Sequence, residues 1–228
     1  MDYSPLIISL KTAFLATFIT FFLGLYAAHK IAKVKHCKGL IDGIFTLPMV
    51  LPPTVVGFFL IIIFGNNSFV GILLAKINIT VMFSWPATVL SACVVSFPLM
   101  YRTARGAFEQ IDTDLVYAAR TLGMSEEAIF WKVIFPVSWP GIAAGTVLSF
   151  ARALGEFGAT IMIAGNIPGR TQTVSTAIYT AVQSGDRATA YTWAGIIVVI
   201  SFATMIMMNY WSANQKKLIS SRTEKRGG

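Results

Sequence analysis

Five long runs of apolar residues dominate the pattern along the chain, and polar segments separate them. The runs cover about residues 6–31, 41–64, 81–101, 141–163 and 191–211. Each run can cross a hydrocarbon core of about 30 Å as a helix that rises about 1.5 Å per residue. The pattern predicts an all-α polytopic membrane protein, with five transmembrane helices in a single domain over residues 1–212 and a basic tail over residues 213–228.

The segment 171–184, "TQTVSTAIYTAVQS", lies between the last two apolar runs. It is amphipathic, and it is too short and too polar for an ordinary span. Such a segment is tolerated at membrane depth only where it is buried in protein or lines a cavity. We therefore expect a partial or re-entrant helix on the outer side of the membrane.

The composition supports a membrane protein and argues against a nucleic-acid-binding protein. Of the 228 residues, 55% are hydrophobic and only 12% are charged, whereas a soluble domain has about 25% charged residues. The mean hydropathy is +0.69. The net charge of +8 comes from basic residues clustered between the apolar runs, and none of the motifs of nucleic-acid-binding proteins is visible.

The positions of the basic residues predict the orientation of the chain. Arg152 lies within a span, and the segments assigned to the outer side carry only Lys11, Lys76, Arg170 and Arg187. The other Lys and Arg residues lie in the first loop, in the long loop and in the tail: Lys30, Lys33, Lys35, Lys38, Arg102, Arg105, Arg120, Lys132, Lys216, Lys217, Arg222, Lys225 and Arg226. Because cytoplasmic loops are enriched in Lys and Arg, the N-terminus is expected outside and the C-terminus in the cytoplasm.

Proline residues interrupt the second apolar run. Pro48, Pro52 and Pro53 occur within "LPMVLPPTVVG", and each removes a backbone donor and clashes with the preceding helical turn. The helix must therefore kink or break. Two interpretations remain open: a kink that serves packing, or a bend that lines a transport pathway.

The polar segment 102–140 carries signals for two short helices on the cytoplasmic side. The first is predicted over residues 113–122, with Asp112 or Thr113 as its N-cap and Gly123 ending it in a left-handed conformation. The second is predicted over residues 126–135, with Ser125 as its cap and Pro136 as its stop signal. The segment therefore predicts a compact cytoplasmic element that either covers the helix ends or docks a soluble partner.

The first short helix has an apolar face with helical spacing. The residues of this face are Leu115, Ala118, Ala119 and Leu122. Small side chains at Ala118, Ala119 and Gly123 would allow another surface to approach closely.

The stretch "YAARTLGMSEEAIFWKVIFP" resembles the EAA loop of binding-protein-dependent ABC importer permeases. Ala118, Ala119, Gly123 and Pro136 stand at the spacing of that pattern, whereas Tyr117 replaces its leading Glu. The resemblance implies that Leu115, Ala118, Ala119, Leu122, Gly123 and Pro136 form the loop that couples the permease to its ATPases.

Further stretches narrow the resemblance to the molybdate permeases of this family. They include "SFPLMYRTARGAFEQID", "PGIAAGTVLSFARALGEFGAT" and "AGNIPGRTQT". The resemblance implies a type I importer core in a bacterial-type inner membrane, which takes up molybdate by alternating access. The implied partners are a second copy of the chain, two P-loop ATPase subunits and an extracytoplasmic oxyanion-binding protein.

Arg152 and Glu156 stand four residues apart inside the fourth apolar run. On a helix they would share one face and could pair, and each alone would be costly in lipid. They could form a structural or gating ion pair, or Arg152 could contact the transported anion. With Pro52 and Pro53, they are the candidate residues of the pathway or gate.

The sequence contains no constellation of catalytic or cofactor-binding residues. The phosphate-binding motif G-x-x-x-x-G-K-[ST] is absent, so any ATPase must be another chain. Cys37 and Cys93 lack metal-site spacing, and His29 and His36 lie at the first cytoplasmic boundary. We expect no enzyme activity, cofactor or metal. The alternatives are a sulfate, thiosulfate or tungstate permease of the same architecture, or an ATP-independent channel or secondary transporter.

Overall fold

The computed structural model describes residues 2–32, 34 and 37–224, and their side chains as far as residue 206. Over these residues the chain is helical and contains no strand. Lys33, Lys35, His36, Lys225 and Arg226, which the sequence analysis names, lie outside this part. The helices are α1 (Ser4–Ala32), α2 (Lys38–Val50), α3 (Pro53–Phe64), α4 (Phe69–Ala75), α5 (Trp85–Glu109), α6 (Thr113–Thr121), α7 (Glu126–Ile129), α8 (Phe135–Leu154), α9 (Gly158–Ile163), α10 (Val174–Gln183) and α11 (Arg187–Glu224).

The number of candidate membrane spans agrees with the five that the sequence predicts. Four helical stretches in the described part are long and apolar enough to cross a membrane, namely Ser4–Ala32, Trp85–Glu109, Glu126–Leu154 and Arg187–Ile206. The consecutive helices α2 and α3 pass the same test together, although they are bent by 112°. Counting this pair as one broken span gives five.

Helix α5 is the centre of the bundle, and it packs against α1, α8 and α2. Small residues allow the closest approaches. A Cβ atom on Gly141 would lie 2.7 Å from the Cβ atom of Ala107, and one on Gly145 would lie 2.9 Å from the Cβ atom of Thr103. The G-x-x-x-G pattern of α8 therefore packs against α5 of the same chain, as such patterns do when two helices meet in lipid.

The second apolar run breaks at its prolines, as the sequence predicts. Helix α2 ends at Val50, and Leu51 and Pro52 have extended backbone conformations before α3 begins at Pro53. Pro53 occupies the first turn of α3, where a missing N–H group costs no helical hydrogen bond. Pro48, by contrast, lies inside α2 and does not end it.

Pro136 does not end the second short helix, so that prediction is wrong. Helix α7 continues into a π-helical segment, Phe130–Ile134, and then into α8, with Pro136 in the first turn of α8. The proline cannot donate to a carbonyl group four residues back. The wider π-helical turn that precedes it lets the chain continue as one helical rod.

Other helix ends also differ from the predicted apolar runs. Helix α5 begins at Trp85 and extends to Glu109, beyond the predicted end near residue 101. The fourth apolar run is interrupted, because α8 ends at Leu154 and α9 begins at Gly158. The predicted short helix after it is α10, which starts with a capping box formed by Thr173 and Thr176.

Candidate functional site

The Arg152–Glu156 pair lies at the break between α8 and α9. Arg152 is in the last turn of α8, whereas Glu156 follows the C-cap residue Gly155. The sequence predicted that the two residues share one helix, and this prediction is wrong, because α8 ends before Glu156. They still pair, because the chain turns back after Gly155: Arg152 Nη1 lies 2.6 Å from Glu156 Oε2.

Both carboxylate oxygens of Glu156 have partners within the chain. Oε2 accepts from Arg152, and Oε1 accepts from the backbone N–H of Ala159 at 2.8 Å. The second bond satisfies one of the free N–H groups at the start of α9. The Glu156 side chain is only 2% exposed, whereas that of Arg152 is 32% exposed. Glu156 therefore neutralises Arg152 and also holds the break in its shape.

The interrupted helix pairs α2–α3 and α8–α9, which we call the two broken spans, meet at their breaks. A Cβ atom on Gly158 would lie 2.9 Å from the Cβ atom of Pro53, and one on Gly57 would lie 2.9 Å from the Cα atom of Ala159. The structure thus brings Pro53 against the break that carries Glu156. Pro52 is the adjacent residue and is exposed.

Buried hydroxyl groups form hydrogen bonds between the central helix α5 and its neighbours, including α9 beside the Arg152–Glu156 pair. The sequence analysis did not identify them. Ser91 Oγ of α5 and Thr160 Oγ1 of α9 are 2.8 Å apart, and both residues are buried. Thr12 of α1 and Thr88 of α5 form a similar pair at 2.9 Å. Hydroxyl side chains within apolar runs often bond across helices in membranes, so their positions were the signal available in the sequence.

On the side predicted to be cytoplasmic, α6 and α7 form a capped hairpin, which we call the α6–α7 hairpin (residues 112–129). Asp112 accepts from the backbone N–H of Asp114, and Ser125 accepts from that of Ala128, so both predicted caps are present. Gly123 has the predicted left-handed conformation, with φ of +76°.

An ion pair closes the α6–α7 hairpin. Arg120 Nε lies 2.6 Å from Glu126 Oε1. The hydrogen bond and the charge of Glu126 raise the pKa of the Arg120 guanidinium above its usual value. The hairpin is therefore held by two caps, a glycine turn and one ion pair.

The predicted apolar face of α6 is only partly buried. Ala119 is buried, whereas Ala118 and Leu115 are exposed and the side chain of Leu122 is 81% exposed. Gly123 and Pro136 are also exposed. A group of exposed apolar side chains is one of the features that mark a surface that another protein covers.

A second polar cluster, which the sequence analysis did not identify, joins α2 to α5. Lys38 and Asp42 on α2 lie against Tyr101, Arg105 and Glu109 on α5. Residues four apart on a helix point to the same side. The i, i+4 spacing on both helices was therefore the available signal.

Comparison with known proteins places this architecture in a family. Residues 20–216 match the family described as "Binding-protein-dependent transport system inner membrane component". The chain is 44% identical over 208 residues to the putative molybdenum transport system permease protein YvgM of Bacillus subtilis strain 168, covering 90% of this chain and 92% of that protein. It is 39% identical over 214 residues to the molybdenum transport system permease protein ModB of Escherichia coli K12, covering 93% of each.

More distant relatives include the sulfate transport system permease protein CysT of Escherichia coli K12. It is 34% identical over 203 residues, which cover 89% of this chain and 73% of that protein.

Solved structures share the fold. An inward-facing MetNI methionine ABC transporter matches with a TM-score of 0.72 at 16% identity, over 92% of this chain and 94% of that one. A bacterial alginate ABC transporter, in complex with its alginate-bound periplasmic protein, matches with a TM-score of 0.75 at 18% identity, over 94% and 79%. The chain therefore belongs to the family of inner-membrane components of binding-protein-dependent transport systems, and it has the fold of ABC importer permeases.

Proposed function

We propose that this chain is the membrane-spanning permease subunit of an ATP-driven importer, and that its substrate is molybdate. The assignment of molybdate rests on the sequence identity and coverage of the relatives. Identity is 44% and 39% to two molybdenum permeases, over nine-tenths or more of every chain, and 34% to a sulfate permease of which only 73% is matched. Sulfate, thiosulfate and tungstate are the alternative substrates, because all of these anions resemble molybdate in charge and shape.

We assign the ATPase contact to the α6–α7 hairpin. Two helix caps and an ion pair close the hairpin, and it exposes Leu115, Ala118 and Leu122. A channel or a secondary transporter has no need of such a docking element, which favours the ATP-driven importer over those alternatives. Closure of two ATPase subunits would move the hairpins and rock the attached helices between two states.

We assign the pathway to the region where the two broken spans meet, between two copies of the chain. Irregular backbone at membrane depth is tolerated where it is buried in protein or lines a cavity. Both oxygens of Glu156 are already bonded, and Glu156 neutralises Arg152. This geometry favours a structural or gating ion pair over direct contact between Arg152 and the anion.

The proposed orientation places the N-terminus outside and the α6–α7 hairpin and the C-terminus in the cytoplasm. The extracytoplasmic binding protein would then deliver the anion at the side where α10 and the loops after α3 and α9 lie. In such a system the binding protein does most of the selection between anions, so the permease constrains the substrate weakly.

Uptake by the reconstituted complex tests the proposal. The chain would be assembled in proteoliposomes with its candidate ATPase and binding protein, and radiolabelled molybdate uptake would be followed with ATP, without ATP and with excess sulfate or tungstate. We expect uptake that requires both ATP and the binding protein and that sulfate does not suppress. Uptake without ATP would refute the importer, and suppression of molybdate uptake by excess sulfate would refute molybdate as the substrate.

A further inference from the structure

Helix α2 is attached to the bundle differently from its continuation α3. None of the thirteen residues of α2 is fully buried, and its main neighbour is α5. Helix α3 instead buries Val56, Gly57 and Leu60 and packs mainly against α9. The 112° bend between α2 and α3 separates the two attachments.

The contact between α2 and α5 has an ionic half, which we call the α2–α5 clamp (Lys38, Asp42, Tyr101, Arg105 and Glu109). The carboxylate of Asp42 accepts from the hydroxyl group of Tyr101 and pairs with the guanidinium of Arg105. Glu109 Oε1 lies 2.8 Å from Arg105 Nε and 3.0 Å from Lys38 Nζ. Every member of the clamp therefore has a partner of complementary character.

An aromatic cluster supports the clamp from one side. The ring of Phe45 on α2 lies 5.3 Å from the ring of Tyr101 and 5.5 Å from that of Phe97. Tyr101 is fully buried, so its hydroxyl group is held in place beneath Asp42. Such edge-to-face aromatic pairs add to the stabilisation that burial alone provides.

The clamp borders a polar cavity of about 360 Å³, which is also lined by Thr46, Arg102 and Gly106. The side chains of Arg105 and Asp42 are 20% and 22% exposed. A pair in this position is partly desolvated but still reaches water. Because partly buried charges are screened less by salt than exposed ones, the attraction between Arg105 and Asp42 holds α2 against α5 more firmly than a surface pair would.

The clamp lies between the two elements that the proposed function assigns to coupling and to the pathway. Glu109 is the last residue of α5, and Asp112, the cap of α6, follows three residues later. At its other end, α2 leads into the break at Leu51 and Pro52 beside the α8–α9 break. The α6–α7 hairpin is joined to the end of α5 on one side and to the start of α8 on the other, so its displacement would reach both helices. The clamp is a direct link from α5 to α2.

We propose that the α2–α5 clamp makes α2 move with the end of α5, so that it transmits motion of the α6–α7 hairpin to the broken spans. This role rests on the proposed function, since it presumes that the hairpin docks an ATPase. Asp42 is the key positioning residue of the clamp, because its carboxylate accepts a hydrogen bond from Tyr101 and also pairs with Arg105, both of which lie on α5. A clamp that served stability only would change uptake and ATP hydrolysis in the same proportion.

The ratio of anions taken up to ATP hydrolysed tests the clamp in the reconstituted complex. We expect Asp42→Asn to lower this ratio by about fivefold. The loss of one interaction of ordinary net strength changes the equilibrium between the clamped and the unclamped arrangement by about this factor. Thr46→Val is the matched control, because Thr46 lines the same cavity but bonds only within α2, to the Asp42 carbonyl at 2.7 Å and to Gly43. Its ratio should equal that of the wild type.

An unchanged ratio in Asp42→Asn, even with both rates reduced, would overturn the clamp. If Asp42→Asn prevents assembly, Tyr101→Phe decides by the same comparison, since it removes one hydrogen bond to Asp42 and keeps the ring. Failure of the proposed function has a different outcome, because the wild-type complex itself would then not take up molybdate with ATP.

Spin labels give a direct measure of whether α2 follows α5. Gly39 and Gly106 suit the labels, because a Cβ atom on either would meet no other atom within 4 Å; Cys37 and Cys93 would first be replaced by Ser. The complex holds two copies of the chain, so singly labelled controls identify the distances between copies. We expect the remaining distance, which lies within one chain, to be narrow in the nucleotide-free and vanadate-trapped complex and to be broadened in trapped Asp42→Asn. Identical distributions in the two backgrounds would contradict the proposal.

Discussion

The backbone of Gly158 lies directly against the ring of Pro53, so that a Cβ atom at position 158 would be 2.9 Å from the Cβ atom of Pro53. This contact joins two interruptions that are about a hundred residues apart in the sequence. It brings the proline break of one span next to the glutamate-capped break of another. Tight contacts of this kind make the region sensitive to added volume.

Gly57→Ala should destabilise the junction of the two broken spans. The new Cβ atom would lie 2.9 Å from the Cα atom and 3.0 Å from the carbonyl oxygen of Ala159, and this backbone cannot move aside cheaply. We expect a loss of about 1–3 kcal/mol of stability, as for overpacked cores. Thermal unfolding of the purified protein in detergent measures it. Gly43→Ala is the control, since Gly43 has open space around it, and equal melting temperatures for the two variants would contradict the prediction.

Arg152→Met should impair the chain more as a single substitution than in combination with Glu156→Gln. The single variant leaves a carboxylate that is 2% exposed without its cation, a loss of about 3 kcal/mol for a broken buried pair. The double variant removes both charges, and the amide oxygen of the introduced glutamine can still accept from the N–H group of Ala159.

Assembly and molybdate uptake of the two variants measure the role of the ion pair. We expect the double variant to retain uptake. A double variant that assembles normally but does not transport would instead indicate that Arg152 contacts the anion.

Leu122→Asp should abolish binding of the ATPase while leaving the permease folded. The Leu122 side chain is 81% exposed, so a charge there disturbs little within the chain, but it would be buried without a partner beneath a docked subunit. Co-purification of the ATPase with the permease measures the effect. Ala188→Asp introduces the same charge at an exposed residue in the first turn of α11 and should co-purify normally. Retention of the ATPase by Leu122→Asp would exclude this face as the docking surface.

Gly123→Val should disturb the α6–α7 hairpin through its backbone alone. Gly123 has φ of +76°, and no other atom lies within 4 Å of the site of a Cβ atom. A left-handed conformation costs a residue with a side chain about 1–2 kcal/mol, and more for a β-branched one. We expect weaker ATPase association, measured by co-purification. Gly123→Asn should restore most of it, because Asn tolerates this conformation; equal association of the Val variant and the wild type would remove Gly123 from the docking assignment.

The sequence predicted well those features that depend on neighbouring residues. The break at Pro52 and Pro53, the caps at Asp112 and Ser125 and the left-handed Gly123 were all predicted and are all present. Each follows from a local rule: a missing N–H group, a side-chain acceptor or the absence of a Cβ atom. The prediction that Pro136 ends a helix was wrong. A proline cannot donate a backbone hydrogen bond, but the chain can meet this restriction either by ending the helix or by widening the preceding turn, and here a π-helical segment precedes Pro136.

By itself, the sequence determined that the chain is a helical membrane protein with five apolar spans, because the length of an apolar run and the thickness of a bilayer fix that outcome. Only the tertiary structure decided which parts of those spans meet. It placed Pro53 against Gly158, paired Asp42 with Tyr101 and Arg105, and put Glu156 outside the helix that carries Arg152. Spacing along the chain shows which residues share a helix face, but it does not show which other helix that face meets, because the packing of distant helices follows from the three-dimensional fit of their side chains.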